Sequence, residues 1–179
     1  MTGFYFQRGK ADGVNKFVLM FQGGAWCHSL EDCYERSKSH LGSSRRWDTD
    51  FYFPDGLASN DEVVNPNYHS WNKVVIGYCD GASFSGTLKH PVKVPEHHDQ
   101  VFFQGSYILD AVSDTLLKSN FGMNRASDVI ISGLSAGGLS VYLHLDNIAS
   151  KIKKFSTVSA NTSLFLFPLV RTMQSLAWY

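Results

Sequence analysis

Neither sign of charge dominates this chain. Its 16 Lys and Arg balance 16 Asp and Glu for a formal net charge of zero, which excludes a broad electrostatic pull toward nucleic acid or an anionic membrane. The short basic clusters Arg45-Arg46 and Lys151, Lys153, Lys154 read as solvated surface. Long apolar runs are missing as well. The best candidate, Leu164 to Val170, is interrupted by Pro168 and falls far short of the roughly 20 residues that cross a bilayer, so it reads as buried core and no membrane span is expected. No basic stretch leads into an apolar one near Met1, so a secretory signal peptide is not among the residues given. Repeats, low-complexity tracts and linkers are absent too. Cysteine is scarce: Cys27 and Cys33 lie close enough to bridge a short loop, and Cys79 is left over. An odd count points either to a partner cysteine elsewhere or to three reduced thiols.

What is present suits one globular domain. A hydrophobic share of 44% against 18% charged residues supports a real core, and 179 residues are too few for two ordinary domains. Strand and helix signals alternate, which argues for an α/β layer structure. Lys16 to Phe21 is a nearly continuous apolar run ending at Gly23-Gly24, as expected of a buried parallel strand entering a tight loop. A helix is expected from Ser29, with Ser29 as N-cap and Asp32 in the first turn. Residues 40–68 read as a long loop with short pieces of structure. Val74 to Tyr78 predicts a second strand, and the apolar spacing from Gly105 to Ser119 predicts a helix closed by Phe121-Gly122. Asp128 to Ser132 predicts a third strand, Ala136 to Ile152 a helix, and Phe155 to Ser159 a fourth strand.

The chemistry concentrates at Gly133-Leu134-Ser135-Ala136-Gly137. A serine hydroxyl attacks an acyl carbon only when a base takes its proton and donors stabilise the oxyanion formed. A strand-turn-helix elbow projects such a serine off the sheet edge, and the glycines two residues either side avoid collisions with neighbouring backbone. Here the motif sits between a β-branched strand and an amphipathic helix, the context it needs. Ser135 is therefore the expected nucleophile, and the Ala136 amide an expected oxyanion donor. The second donor should come from a loop after an earlier strand. Gly23-Gly24-Ala25-Trp26-Cys27 fits, with Gly24 and Ala25 as the candidates.

The base is the gap. In the serine elbow order the acid and then the histidine follow the nucleophile, yet His144 is the one histidine after Ser135. It lies on the same expected helix, about 13 Å further along the axis, whereas proton transfer needs about 3 Å. His144 and, by the same measure, Asp146 cannot serve. His28, His40, His69, His90, His97 and His98 would require a different chain order, and His97-His98 reads as a solvated loop pair. The catalytic Asp and His are thus expected beyond Tyr179.

These motifs together resemble the pectin acetylesterase family, which also includes the animal carboxylesterase Notum. The resemblance is carried by Gln22 to Cys27, Cys33 with Arg36, Leu41-Gly42-Ser43-Ser44, Asn65-Pro66, Trp71-Asn72, Tyr78 to Gly86 and Ser132 to Gly138, in the family's order. It implies an α/β-hydrolase fold, a three-layer sandwich on a mainly parallel sheet, with residues 1–179 as one partial domain. It implies secretion to the extracellular space or cell wall, no cofactor and no metal. It puts the nucleophile at Ser135 and the oxyanion donors at Gly24, Ala25 and Ala136. It implies a Cys27–Cys33 disulfide and pairs Cys79 with a cysteine upstream of this chain. One departure is Val158 to Ser163, where the family often carries Ser-Asp-Ala-Gly-Phe-Phe. Asp80, Ser83 and Trp26 match family motifs and are expected to shape the site structurally. The activity implied is hydrolysis of an acyl ester, with deacetylation of a cell-wall polysaccharide foremost. The alternatives are a Notum-like carboxylesterase acting on a lipid-modified protein, an inactive fragment or pseudoenzyme, and a carbohydrate-binding module.

Overall fold

A computed structural model of the chain describes residues 3–48, 56–155 and 163–169. Seven strands and three longer helices are built from them: β1 (Phe4–Gln7), β2 (Lys16–Phe21), α1 (Leu30–Ser37), β3 (Asn72–Ile76), β4 (Val92–Val94), β5 (Asp99–Val101), α2 (Gly105–Leu116), β6 (Asp128–Leu134), α3 (Ala136–Phe155) and β7 (Ser163–Leu169). Five strands form one sheet in the order β1-β3-β2-β6-β7, and β4 and β5 form a separate hairpin. Every pairing in the large sheet is parallel except β1 on β3. The fold is α/β.

The apolar runs are continuous because the central strands are buried on both faces. Phe17, Leu19 and Phe21 of β2, Val74 and Ile76 of β3, and Val129 and Ile131 of β6 point to one face, where Leu109, Val112 and Leu116 of α2 and Val141, Ile148 and Ile152 of α3 cover them. On the other face Val18 and Ile130 pack with Trp71, Leu57 and Tyr68, from the irregular segment before β3. Full burial of each such side chain contributes about 1.5–3 kcal/mol. Lys151, expected on the surface, instead bridges α3 to α2 through Asp110 at 3.1 Å and Asp114 at 2.8 Å.

Several boundaries differ from the sequence reading, each for a physical reason. β3 begins at Asn72 because that side chain is itself structural. Its amide donates to the carbonyls of Gly13, Val14 and Lys16 at 3.1, 3.0 and 2.9 Å and accepts from Gly9 N at 2.9 Å. α2 stops at Leu116, and the chain turns through 117–122 to Gly122 in the left-handed region (φ 86°). The helix expected to end at Ile152 continues to Phe155, so no strand starts there. Residues 156–159 of that expected strand lie outside the described residues, and the strand beside β6 is β7, in the stretch the sequence reading took for undifferentiated core. Its Pro168 is tolerated on a strand that, among the described residues, pairs on one side. β1 and the β4–β5 hairpin were not expected: each is short, and neither alternates cleanly enough to announce itself. His97 is not a free loop residue. It stacks on Tyr34 with ring centroids 4.1 Å apart, and its Nε2 meets the Glu31 carboxylate at 2.8 Å. His98 is exposed beside it with φ 52°.

Candidate active site

The parallel register brings three strand ends to one edge. Phe21 pairs with both Ile76 and Gly133, so the loops after β2, β3 and β6 emerge side by side at the carboxyl ends, where open α/β sheets hold their ligands. The turn from β6 to α3 is the single residue Ser135, which is exposed and has φ 55°. That left-handed conformation costs a residue with a Cβ about 1–2 kcal/mol, and the surroundings enforce it. A Cβ on Gly133 would stand 2.2 Å from Gly137 O, and one on Gly137 would stand 2.2 Å from Phe21 O. Only glycine fits at either place. Buried Ala136 opens α3, so its amide is among those that the helix leaves without an internal partner, at the positive end of a 20-residue dipole.

The loop after β2 lies against this turn. A Cβ on Gly23 would be 2.5 Å from Leu134 O and 3.1 Å from the Ser135 Cβ. Gly24 (φ 148°) and Ala25 (φ 53°) then take positive φ in succession, and Ala25, like Ser135, is exposed. The loop is held from three directions. Arg36 Nη1 donates to Gly24 O at 2.6 Å, Trp26 Nε1 donates to Ser83 Oγ at 2.8 Å, and Cys27 N donates to Gly81 O at 3.1 Å. A disulfide joins Cys27 to Cys33 and ties the loop to α1. Ser29 caps α1 by accepting from Asp32 N at 3.1 Å.

The loop after β3 is the spacer between them. Ser83 is buried with φ 51°, receives Trp26, and donates its own hydroxyl to Ala136 O at 2.9 Å. Its amide donates to the Tyr78 hydroxyl at 3.0 Å. Asp80 accepts from Phe84 N at 3.1 Å. Burial pushes the Asp80 carboxyl above the usual range, against the pull of the Phe84 and Ala82 amides and of Arg36. Burial likewise raises the Tyr78 phenol, partly offset by its bond from Ser83. Asp80, Ser83 and Trp26 thus act as supports, and Arg36 and Tyr78 join them. Arg36 had stood out only as a motif letter, and no local pattern could have told which carbonyl it reaches.

His144 is turned to a structural task, its Nε2 donating to Ser83 O at 2.8 Å. Among the described residues no histidine is hydrogen-bonded to the Ser135 hydroxyl. A cavity of about 360 Å³ is lined by Cys27, Cys33, Arg36, Cys79, Asp80 and Phe102 among others, and Ser135 is not part of its wall. One exposed group, Glu31, Glu35 and His97, has ligand atoms within 4.8 Å of one another. Its members already have partners, His97 on Glu31 and Glu35 on Lys38. Val158 to Thr162 of the departing segment lie outside the described residues.

Comparison with known proteins agrees with this geometry. The profile of the Pectinacetylesterase family matches residues 1–166. The chain is 37% identical to pectin acetylesterase 4 of Arabidopsis thaliana over 158 residues, 88% of this chain and 37% of that protein. It is 33% identical to the palmitoleoyl-protein carboxylesterase NOTUM of Schmidtea mediterranea over 86% of this chain and 28% of that protein. The crystal structure of the Wnt deacylase Notum from Drosophila superposes with a TM-score of 0.75 at 28% identity, covering 93% of this chain and 46% of that one. The chain therefore spans less than half the length of these relatives.

Proposed function

Because this chain belongs to the pectinacetylesterase family, we propose that the protein is a serine carboxylic ester hydrolase that removes acetyl groups from a polysaccharide, with Ser135 as nucleophile. One observation carries the reading: an exposed serine at φ 55° between a parallel strand and a helix, with the Gly23–Ala25 loop against it. Ser135 Oγ attacks the acyl carbon as its proton passes to an imidazole base. The carbonyl oxygen becomes an oxyanion held by amides of the Gly24-Ala25 loop and by the Ala136 amide. Collapse expels the sugar hydroxyl and leaves an acyl-serine, which water cleaves. The Cys27–Cys33 disulfide supports a secreted protein, since such bonds persist in oxidising compartments. Among the described residues no helix is long and apolar enough to cross a membrane.

Acetate release from acetylated pectin by the full-length protein tests this. Ser135→Ala should lower the rate roughly 10⁵–10⁶-fold, and a variant as active as the parent sinks the assignment. A second reading, a carboxylesterase for longer acyl chains on a protein, is favoured by exposed Leu134, Leu139, Tyr142 and Leu143 around the elbow and by the Notum relatives. Hydrolysis of acetyl and octanoyl esters of one alcohol separates the two: preference for octanoyl selects the second.

A further inference from the structure

We propose that Arg36 is the positioning residue of the oxyanion hole, acting through the Gly24 carbonyl on the amide of Ala25; the proposal rests on the esterase reading above. The two groups belong to one peptide unit. A trans peptide is planar, and its C=O and N–H point in opposite directions, so a group that holds Gly24 O also sets where the Ala25 N–H aims. Arg36 Nη1 donates to Gly24 O at 2.6 Å, at the short end for a charge-assisted bond. A cation on the carbonyl oxygen also draws density along the amide, which makes its N–H a stronger donor, as in any polarised hydrogen-bond chain. The contact therefore does two things an oxyanion hole needs, orientation and donor strength.

Three further observations bear on the role of Arg36. Gly24 at φ 148° and Ala25 at φ 53° hold a backbone shape that the chain would leave if released. Beside its bond to Gly24 O the guanidinium lies over the Tyr78 ring at 4.9 Å and pulls on the buried Asp80 carboxyl, while its Nε and Nη2 are buried without hydrogen-bond partners. The bond from Nη1 to Gly24 O is its one side-chain hydrogen bond among the described residues. Its placement is built in, because Cys33 sits three residues earlier on the same face of α1 and is bonded to Cys27 of the loop itself.

The test uses the full-length protein, an aryl acetate and a fluorophosphonate that labels serine nucleophiles. Arg36→Ala should lower kcat about 10²-fold, the scale of losing one oxyanion donor, with KM within about threefold and labelling of Ser135 slowed in step. Arg36 lines the cavity of about 360 Å³, so added ethylguanidinium has a route to the vacated position and should restore kcat roughly tenfold. Should Arg36→Ala fail to fold, Arg36→Lys decides by the same split, kcat down and KM held. An unchanged kcat, a loss confined to KM, or a kcat loss in folded Arg36→Ala that ethylguanidinium does not repair overturns the proposal. A parent protein that the fluorophosphonate does not label at Ser135 overturns the esterase reading instead.

Discussion

Ser135 shows how much of a reactive residue is specified by residues that never touch substrate. Its left-handed φ is imposed by Gly133 and Gly137, each standing where a Cβ would be 2.2 Å from a carbonyl oxygen. The Gly133 requirement is legible locally, because it is set against Gly137 O, whereas that of Gly137 is set by Phe21 O, a partner only the fold supplies. Lys73 is the opposite case. It is the second residue of buried β3, with an amine that donates to the carbonyls of Tyr68 and, at 3.1 Å, Trp71, and burial lowers its pKa from 10.5 to about 8. Below about pH 8 the folded protein carries that amine charged against the burial that disfavours the charge. Between about pH 8 and 10.5 the unfolded chain still holds the proton that the folded one has lost, so this contribution to stability rises with pH. Urea melts of the parent and of Lys73→Met across that window should differ in slope, the parent rising more steeply. Parallel curves would remove Lys73 from the account.

At the scale of elements, the chain builds its site by tying one short helix to one loop. The disulfide spans Cys27 to Cys33, and the eight-residue α1 it anchors carries Arg36 to the Gly24 carbonyl. Closing so short a loop stabilises the fold by about 2 kcal/mol in the chain-entropy account. Cys33→Ser should therefore lower unfolding free energy by about that much. It should also reduce kcat by a larger factor than a stability-matched core substitution, read by paired melts and steady-state assays. Equal activity in the two variants would show the tie to be architectural only. Element identity was largely legible here: β2 is the apolar run from Lys16 to Phe21, and Ser29 caps α1 as its position suggests. The misses were elements whose stability is not local. β1 is held by pairing with β3 and by Phe4 and Phe6 packing edge-on against Phe121 at 5.4 and 5.2 Å, and the β4–β5 hairpin by Tyr34 of α1.

For the whole molecule, the sheet has two unequal faces. One is sealed by α2 and α3, and the other by the irregular segment before β3. Regular helices relax little around a void, whereas an irregular segment can settle into it. Ile131→Ala, on the helix side, should cost about 3–5 kcal/mol, and Ile130→Ala, equally buried on the other side, about 2–3 kcal/mol. Chemical denaturation of both variants checks this, and a reversed order would place the dominant core on the other face. Strand periodicity and the helix cap were determined by the sequence itself, since each arises from contacts within a few residues. Which strands adjoin, that Phe21 stands opposite Gly133, that Arg36 reaches Gly24 O and that His144 is spent on Ser83 O were decided only by the tertiary structure. Those partners are far apart along the chain or on separate elements, and they meet because burying apolar faces fixes one register of the sheet, an outcome that no short window of residues contains.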